Sequence, residues 1–392
     1  MKFSEHLASK VRTVDWMVGV AQLDASQRRT IDAIVKDPNR NHWIKGFAGT
    51  GKTIVLTHIL KRLAAARSTS TLFATYTYAL KEMVESGLTP AEIKTIESTT
   101  FKSIRHLDDS YDVLVADEFQ DMPKKSLAFA KSKASALVVA ADPAQRIYRF
   151  SVNQEELVRA VRPAREHKLA TIHRINLPVY TVATTIFPDA EFSPGKAPAD
   201  DREPVQIMSS TSRTSESVAV LTEASRLAKP GSPSAILVPS NAHLRAFLSD
   251  VAAKNAWGAV PKIRDAEESD DPFGSVNRFL KRHKTPLQLF GSQSGSLSDS
   301  DKLKIVYLMT YHNAKGLEFP YVFMPYMTVD TCLEPMKNAS ADQEARIFFV
   351  AATRAKERLH LSYHGYPHRF IDEARELDSD IVTEFAGRRR RY

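Results

Sequence analysis

The 392-residue chain has a single cysteine, Cys332. A lone thiol excludes an internal disulfide and a thiolate cluster for a metal, fits a reducing cytoplasm, and leaves Cys332 as a small core residue. Long apolar runs are also missing, since no stretch approaches the roughly 18 residues that a membrane span needs. The opening segment MKFSEHLASKVRTVDWMVGV is interrupted by charges, so neither an export signal nor a membrane anchor is expected. There is no internal repeat and no heptad seam, which leaves solenoids and coiled coils aside. What remains is a globular chain, 43% hydrophobic, long enough for two domains of ordinary size. A net charge of +8 points to a polyanionic partner, although the excess is spread thinly along the chain.

Apolar β-type runs alternate with helical patterns. TLFATYTY, YDVLVADE and SALVVAADP lie in the first half, and SAILVPS, KIVYLMTYH, YVFMPYM and RLHLSYHG in the second. Strands alternating with amphipathic segments imply an α/β fold with parallel sheets covered by helices. PGKAPADDREP (194–204), RDAEESDDP (264–272) and GSQSGSLSDSD (291–301) read as surface loops or a small insertion.

The stretch GFAGTGKT, Gly46 to Thr53, follows an apolar pair and runs into IVLTHIL. Its glycines, Gly46, Gly49 and Gly51, let the backbone around Thr50 turn tightly so that successive N–H groups point inward. Lys52 brings a positive charge to the β and γ phosphates, and Thr53 offers a hydroxyl to Mg²⁺. The helix that opens near Lys52 adds its positive end. A second element, VLVADEFQDMP (113–123), carries a strand to its end at Asp117 and Glu118. There Asp117 can hold Mg²⁺ through water and Glu118 can orient and deprotonate an attacking water, the two tasks that ATP hydrolysis requires. The alternative for this element is an acidic surface turn.

DEFQD (117–121), VVAADPAQRIY (138–148), TYHNAKGLEF (310–319) and FFVAATRAKERL (348–359) together resemble the UvrD/Rep/PcrA group of superfamily 1 helicases, in that group's order. The likeness runs from Gln27 in LDASQRRTIDAI to about Ile371 and includes TFKSI, HRI and YPHRFIDE. It implies two RecA-like parallel-sheet domains with an ATP cleft between them. The expected boundaries are 1–168 for the domain with the phosphate loop and DExQD, and 169–392 for the domain with the arginine fingers, with a small insertion around 252–300. Arg354 matches the family's arginine finger and Arg174 a second γ-phosphate arginine, while Gln145 matches the residue that senses that phosphate. An arginine placed on the transferring phosphoryl is worth roughly 10³–10⁵ in rate. Gln27 matches the glutamine that reads the adenine edge, and Gly316 and Glu318 fall in the motif that contacts the ribose.

At the base the chain departs from the family. Where relatives sandwich adenine between an arginine and a tyrosine, Ile54 and His173 stand instead, so weaker stacking and looser selection for ATP are expected. For the strand, Tyr76, Phe101, Tyr148 and Phe150 match positions that contact or stack on bases, with Thr77, Thr100 and His312 as backbone contacts. The alternative for each aromatic is the hydrophobic core. AKGLEF with TRA favours the branch that moves 3′ to 5′ on single-stranded DNA. RNA leaves no distinguishing motif.

Two features are set aside. His360, His364 and His368 are four apart, but RLHLSYHGYPH alternates like a strand, so the helical spacing that would gather three imidazoles on a metal does not apply. Arg388 to Arg391 read as a solvated tail or a phosphate grip. The gaps between motifs are informative as well. Only Lys102 to Ala116 separate the TF motif from DExQD, and between Arg174 and Thr310 there is no room for the usual second accessory domain. Two readings stay open: an autonomous minimal translocase, or a nucleic-acid-gated ATPase subunit that licenses a separate effector such as a nuclease. No nuclease or toxin motif is visible in this chain, so an effector would be another polypeptide.

Overall fold

A computed structural model describes residues 16–66, 68–148, 150–173, 175–188, 203–263, 271–291, 297–331, 333 and 340–386. Arg174, Cys332 and Arg388–Arg391 lie outside the described residues. The chain divides into two compact units, the first taking in the described residues up to His173 and the second those from Ile175 on.

In the first unit six strands form one parallel sheet: β1 (Asn41–Gly46), β2 (Thr71–Thr75), β3 (Ile96–Thr100), β4 (Tyr111–Ala116), β5 (Ala134–Ala140) and β6 (Ala164–Leu169), in the order β3-β2-β4-β5-β1-β6. Alternation along the central strands explains why the sheet is covered twice. Ile44, Phe73, Val113, Val115 and Val138 pack on one face with the helices Ala25–Lys36 and Lys52–Ala66. Trp43, Leu72, Leu114, Leu137 and Val139 pack on the other, with Ala130, Leu157 and Val161. Each parallel crossover returns the chain to the same edge, so the loops after β1, β2, β4 and β5 collect at the carboxyl ends of the strands, where ligands bind in open α/β sheets.

The second unit is a seven-stranded sheet, also parallel: β7 (Val205–Ser210), β8 (Ser234–Val238), β9 (Leu287–Leu289), β10 (Val306–Thr310), β11 (Phe319–Met324), β12 (Ala355–His364) and β13 (Val382–Ala386), in the order β13-β7-β12-β11-β8-β10-β9. Its core gathers Ile236, Val238, Phe247, Val276, Leu308 and Phe323. A buried carboxylate ties the strand ends together. Glu216 accepts from the Tyr326 amide (2.7 Å) and the Ser362 hydroxyl (2.6 Å), and pairs with His364 Nδ1 (2.6 Å). His360, the first of the three spaced histidines, lies within β12 and stacks on Phe323 with centroids 4.2 Å apart, while His368 caps the helix Arg369–Arg375. Among the described residues no group of three or more His, Cys, Asp or Glu is arranged to hold a metal, and no helix is long and apolar enough to cross a membrane.

Candidate nucleotide and strand site

The phosphate loop occupies the turn from β1 into the helix Lys52–Ala66. Gly49 and Gly51 have φ of 75° and 81°, a region that L side chains rarely adopt. A Cβ at Gly46 would lie 2.5 Å from Thr50 Oγ1, and one at Gly51 would lie 2.6 Å from Gln27 Nε2, so a larger residue at either position would have to displace those side chains. Lys52 Nζ donates to the carbonyls of Gly46 (2.8 Å) and Phe47 (3.1 Å), which places the ammonium across the loop. Thr53 Oγ1 donates to Asp117 Oδ2 at 2.6 Å. Burial, then the neighbouring Glu118 charge, pushes Asp117 up to about 6, against the pull of the Thr53 hydroxyl and Lys52.

Glu118 follows β4 in the left-handed region, with φ 52° and ψ 42°. A non-glycine residue there is uncommon, and it turns the carboxylate out of the path of the strand. Gln120 Nε2 donates to Glu118 Oε2, and Gln120 Oε1 accepts from the Asp142 amide at 3.1 Å. Asp142 Oδ2 in turn accepts from Gln145 Nε2 at 2.6 Å. Glu118, Gln120, Asp142 and Gln145 therefore form one hydrogen-bonded line at the ends of β4 and β5. Gln145 and Gln120 are both about 1% exposed, so two of its four members are shielded from water, while Asp142 is half-buried.

Five residues beyond Gln145 an aromatic group begins to surface. Tyr76, just after β2, stacks on Tyr148 with centroids 4.3 Å apart, and Phe150 lies 5.4 Å from Tyr148. Phe150 is 45% exposed and Tyr148 only 7%, so Phe150 and the half-buried Tyr76 present the open faces. Lys102 Nζ sits 5.6 Å from the Tyr76 ring. Thr77 caps the helix Tyr78–Ser86 by accepting from the Leu80 amide, and Thr100 donates to Ser103. Phe101 is a correction: expected on the strand-binding surface, it is fully buried, edge-on to Phe119 at 6.3 Å. Its amide bonds the Thr75 carbonyl as the chain leaves β3, which turns the ring into the sheet core.

At the base end, Gln27 Nε2 donates to the Thr50 carbonyl (3.0 Å) and Gln27 Oε1 accepts from the Asp24 amide (3.0 Å). Asp24 Oδ2 pairs with His173 Nε2 at 2.8 Å, and the His173 amide donates to the Gly49 carbonyl at 3.0 Å. Asp24, Gln27 and His173 thus stand together against the loop. In the second unit, Arg354 is buried, its guanidinium donating to the carbonyls of Val350 (2.8 Å) and Leu317 (3.3 Å). Gly316 has φ 81° and precedes Leu317, and Glu318 is half-buried at the start of β11. His312 is held down to about 4 by burial and then by Lys315.

Three of these residues escaped sequence reading. Gln120 and Asp142 lie inside motifs that had been assigned to their neighbours, and only the fold shows them to be adjacent. Asp24 was accessible, because Asp-x-x-Gln before an apolar run is a capping box.

The donor set fits a Mg²⁺-nucleotide: a glycine cradle, an ammonium across it, and a hydroxyl hydrogen-bonded to a buried carboxylate. Fold and site define a RecA-like α/β protein with a phosphate loop of the nucleotide-binding kind. The AAA domain family matches residues 22–189 and the UvrD-like helicase C-terminal domain family residues 259–366. DNA helicase II of Haemophilus influenzae is 35% identical over 97 residues, which is 24% of this chain and 13% of that protein. ATP-dependent DNA helicase UvrD1 of Mycobacterium leprae is 38% identical over 118 residues, 28% of this chain and 14% of that protein. The solved structure described as S. cerevisiae Dbp5 bound to RNA and ADP BeF3 has a TM-score of 0.54 at 13% identity, covering 93% of this chain and 90% of that one, a likeness of fold alone. By these matches the chain is similar to UvrD/PcrA-like superfamily 1 helicases. It matches well under a quarter of the length of either curated relative.

Proposed function

We propose that the protein is a nucleic-acid-dependent ATPase that translocates 3′ to 5′ on single-stranded DNA, a minimal UvrD-like motor. The observation that carries this reading is the hydrogen-bonded line Glu118–Gln120–Asp142–Gln145 with the aromatic group just beyond it. A change at the γ-phosphate end has a direct covalent and hydrogen-bonded route to the loop bearing Tyr148 and Phe150. Lys52 and the loop amides would hold the phosphates, and Thr53 and Asp117 would hold the metal, Asp117 through water. Mg²⁺, when bound, would neutralise charge that builds on the transferring phosphoryl. Glu118, positioned by Gln120, accepts the proton of the attacking water. By the resemblance alone, Arg354 and Arg174 would supply positive charge to that phosphoryl. Gln27, with Asp24 and His173 beside it, reads the base edge.

Stacking on Tyr76 and Phe150 tolerates any base, which suits a motor that grips and releases every nucleotide. The connection from β3 to β4 is only residues 101–110, with one short 3-10 helix, Ile104–His106, and no room for an accessory domain. Opening a base-pair step costs roughly 1.4 kcal/mol, and strand separation therefore needs a partner or self-assembly. The same relay also serves the second reading, a gated ATPase that licenses a separate effector, and the two part company on movement. A 3′ to 5′ translocase is expected to displace streptavidin from the 5′ end of a biotinylated oligonucleotide and not from the 3′ end. ATP turnover stimulated by DNA with no displacement from either end would favour the gated switch, and displacement from the 3′ end would overturn the direction.

A further inference from the structure

In the second unit, away from the motifs, the helix Gly274–Arg282 buries Val276, Phe279 and Leu280 and turns the opposite face outward. That face carries Arg278, Lys281 and Arg282, spaced i, i+3 and i+4, so the three cations share one side of the helix. All three are exposed. With Ser275 and Pro261 they line a groove of about 630 Å³. Some exposed arginines elsewhere have a carboxylate partner, Arg62 with Asp32, Arg213 with Asp250 and Arg375 with Glu384. Among the described residues, Arg278, Lys281 and Arg282 have no carboxylate partner. Like charges three and four apart repel, so this face is held at a cost that a bound polyanion relieves.

We infer that this groove is a docking surface for the phosphate backbone of duplex DNA, separate from the strand-binding aromatics. The choice of duplex follows from the lining. Its described residues offer cations and a hydroxyl and no aromatic ring, so they can hold a backbone but cannot stack on an unpaired base. A duplex turns its bases inward and presents one negative charge per about 1.7 Å of axis, the ligand that such a surface fits. A grip of this kind tethers duplex without opening it. The inference stands independently of the motor reading, because it needs neither nucleotide nor movement.

The test is the salt dependence of binding, by fluorescence anisotropy with a blunt 20-base-pair duplex and, separately, a single-stranded oligonucleotide. The full chain is compared with R278A/K281A/R282A, and with the Lys-retaining R278K/R282K. Each phosphate contact contributes about 0.9 to the slope of log K against log salt for B-DNA, so losing three contacts is expected to flatten the duplex slope by about 2 to 3. The lysine variant should keep most of the slope, and single-strand-stimulated ATPase should be unchanged in both variants. Because all three side chains are exposed, the folded state is expected to persist, and a thermal melt checks it. An unaltered duplex slope would overturn the inference. An equal loss for single strand and duplex would overturn the assignment to duplex, and so would duplex binding that appears in the full chain, with the groove intact, only after Asp265, Glu267 and Glu268 are neutralised.

Discussion

Gln120 joins Glu118 to Asp142: its amide nitrogen donates to the Glu118 carboxylate and its oxygen accepts from the Asp142 backbone. One side chain therefore both steadies the Glu118 carboxylate, the proposed general base, and connects it to the loop that leads through Gln145 to Phe150. Replacing Gln120 with alanine should uncouple these two jobs from phosphate binding. Typical coupling between sites is about 1–3 kcal/mol, so stimulation of ATPase by single-stranded DNA is expected to fall by roughly 5–150-fold, with nucleotide affinity within a few-fold of the parent. Steady-state ATPase with and without DNA, alongside nucleotide titration, measures both. Retained stimulation would show that the coupling takes another route.

Lys52 and Glu118 should fail in different ways. Lys52→Ala removes the ammonium that spans the loop and is expected to abolish nucleotide binding. Glu118→Gln keeps the shape and loses the base, so ATP should bind and turnover stall. Arg354→Ala is expected to lower the catalytic rate by about 10³ or more with a smaller change in nucleotide affinity, since the charge matters most in the transition state. Parallel binding and single-turnover measurements separate the three.

Phe150 and Phe101 lie in similar motifs and should behave oppositely. Phe150→Ala removes a half-exposed ring and is expected to weaken single-strand binding by about 1–3 kcal/mol with little effect on stability. Phe101→Ala empties a fully buried site and is expected to destabilise the first unit by about 3–5 kcal/mol. Denaturant melts and DNA titrations of both variants make the comparison.

The edge of the first sheet carries an acid-sensitive pair. His42 Nε2 bonds the Asp37 carbonyl, which can only accept, so His42 Nδ1 is the acceptor for His167 Nε2–H at 2.9 Å. A second proton on either ring breaks that arrangement. Burial, then His42 and Arg165, holds His167 down to about 4, and burial lowers His42 too. The unfolded chain takes up these protons near the ordinary 6.5, whereas the folded chain takes them up only at lower pH. Stability contributed by the neutral pair is therefore complete above about 6.5 and falls as pH drops toward about 4. His167→Gln is expected to flatten that fall, read from urea midpoints between pH 7 and 4; an unchanged slope would place the acid sensitivity elsewhere.

The central strands were legible because buried strands in parallel sheets read as near-continuous apolar runs: VLVA became β4 and ALVVA became β5. The strands that escaped were short or polar. Ile96–Thr100, Ala164–Leu169, Leu287–Leu289 and Val382–Ala386 all lie at sheet edges, where half the backbone and much of the side-chain surface meet no partner layer. The fifth, Val205–Ser210, is next to an edge and loses its apolar pattern after Met208. Site residues divided along the same line. Lys52, Thr53, Asp117 and Glu118 were readable because their chemistry fixes their spacing along the chain, whereas the contacts of Gln120 with Asp142 and of Asp24 with His173 join segments far apart in sequence. Phe101 was misplaced because a motif says which residue is present and not which way the turn after β3 points it.

The most direct test of the account is the ATPase rate at saturating Mg²⁺-ATP, measured with and without single-stranded DNA. If the line from Glu118 to Gln145 couples the phosphate end to the aromatic stack, turnover is expected to rise at least about tenfold on adding DNA, the scale of ordinary allosteric coupling. A rate that no nucleic acid alters would contradict the account.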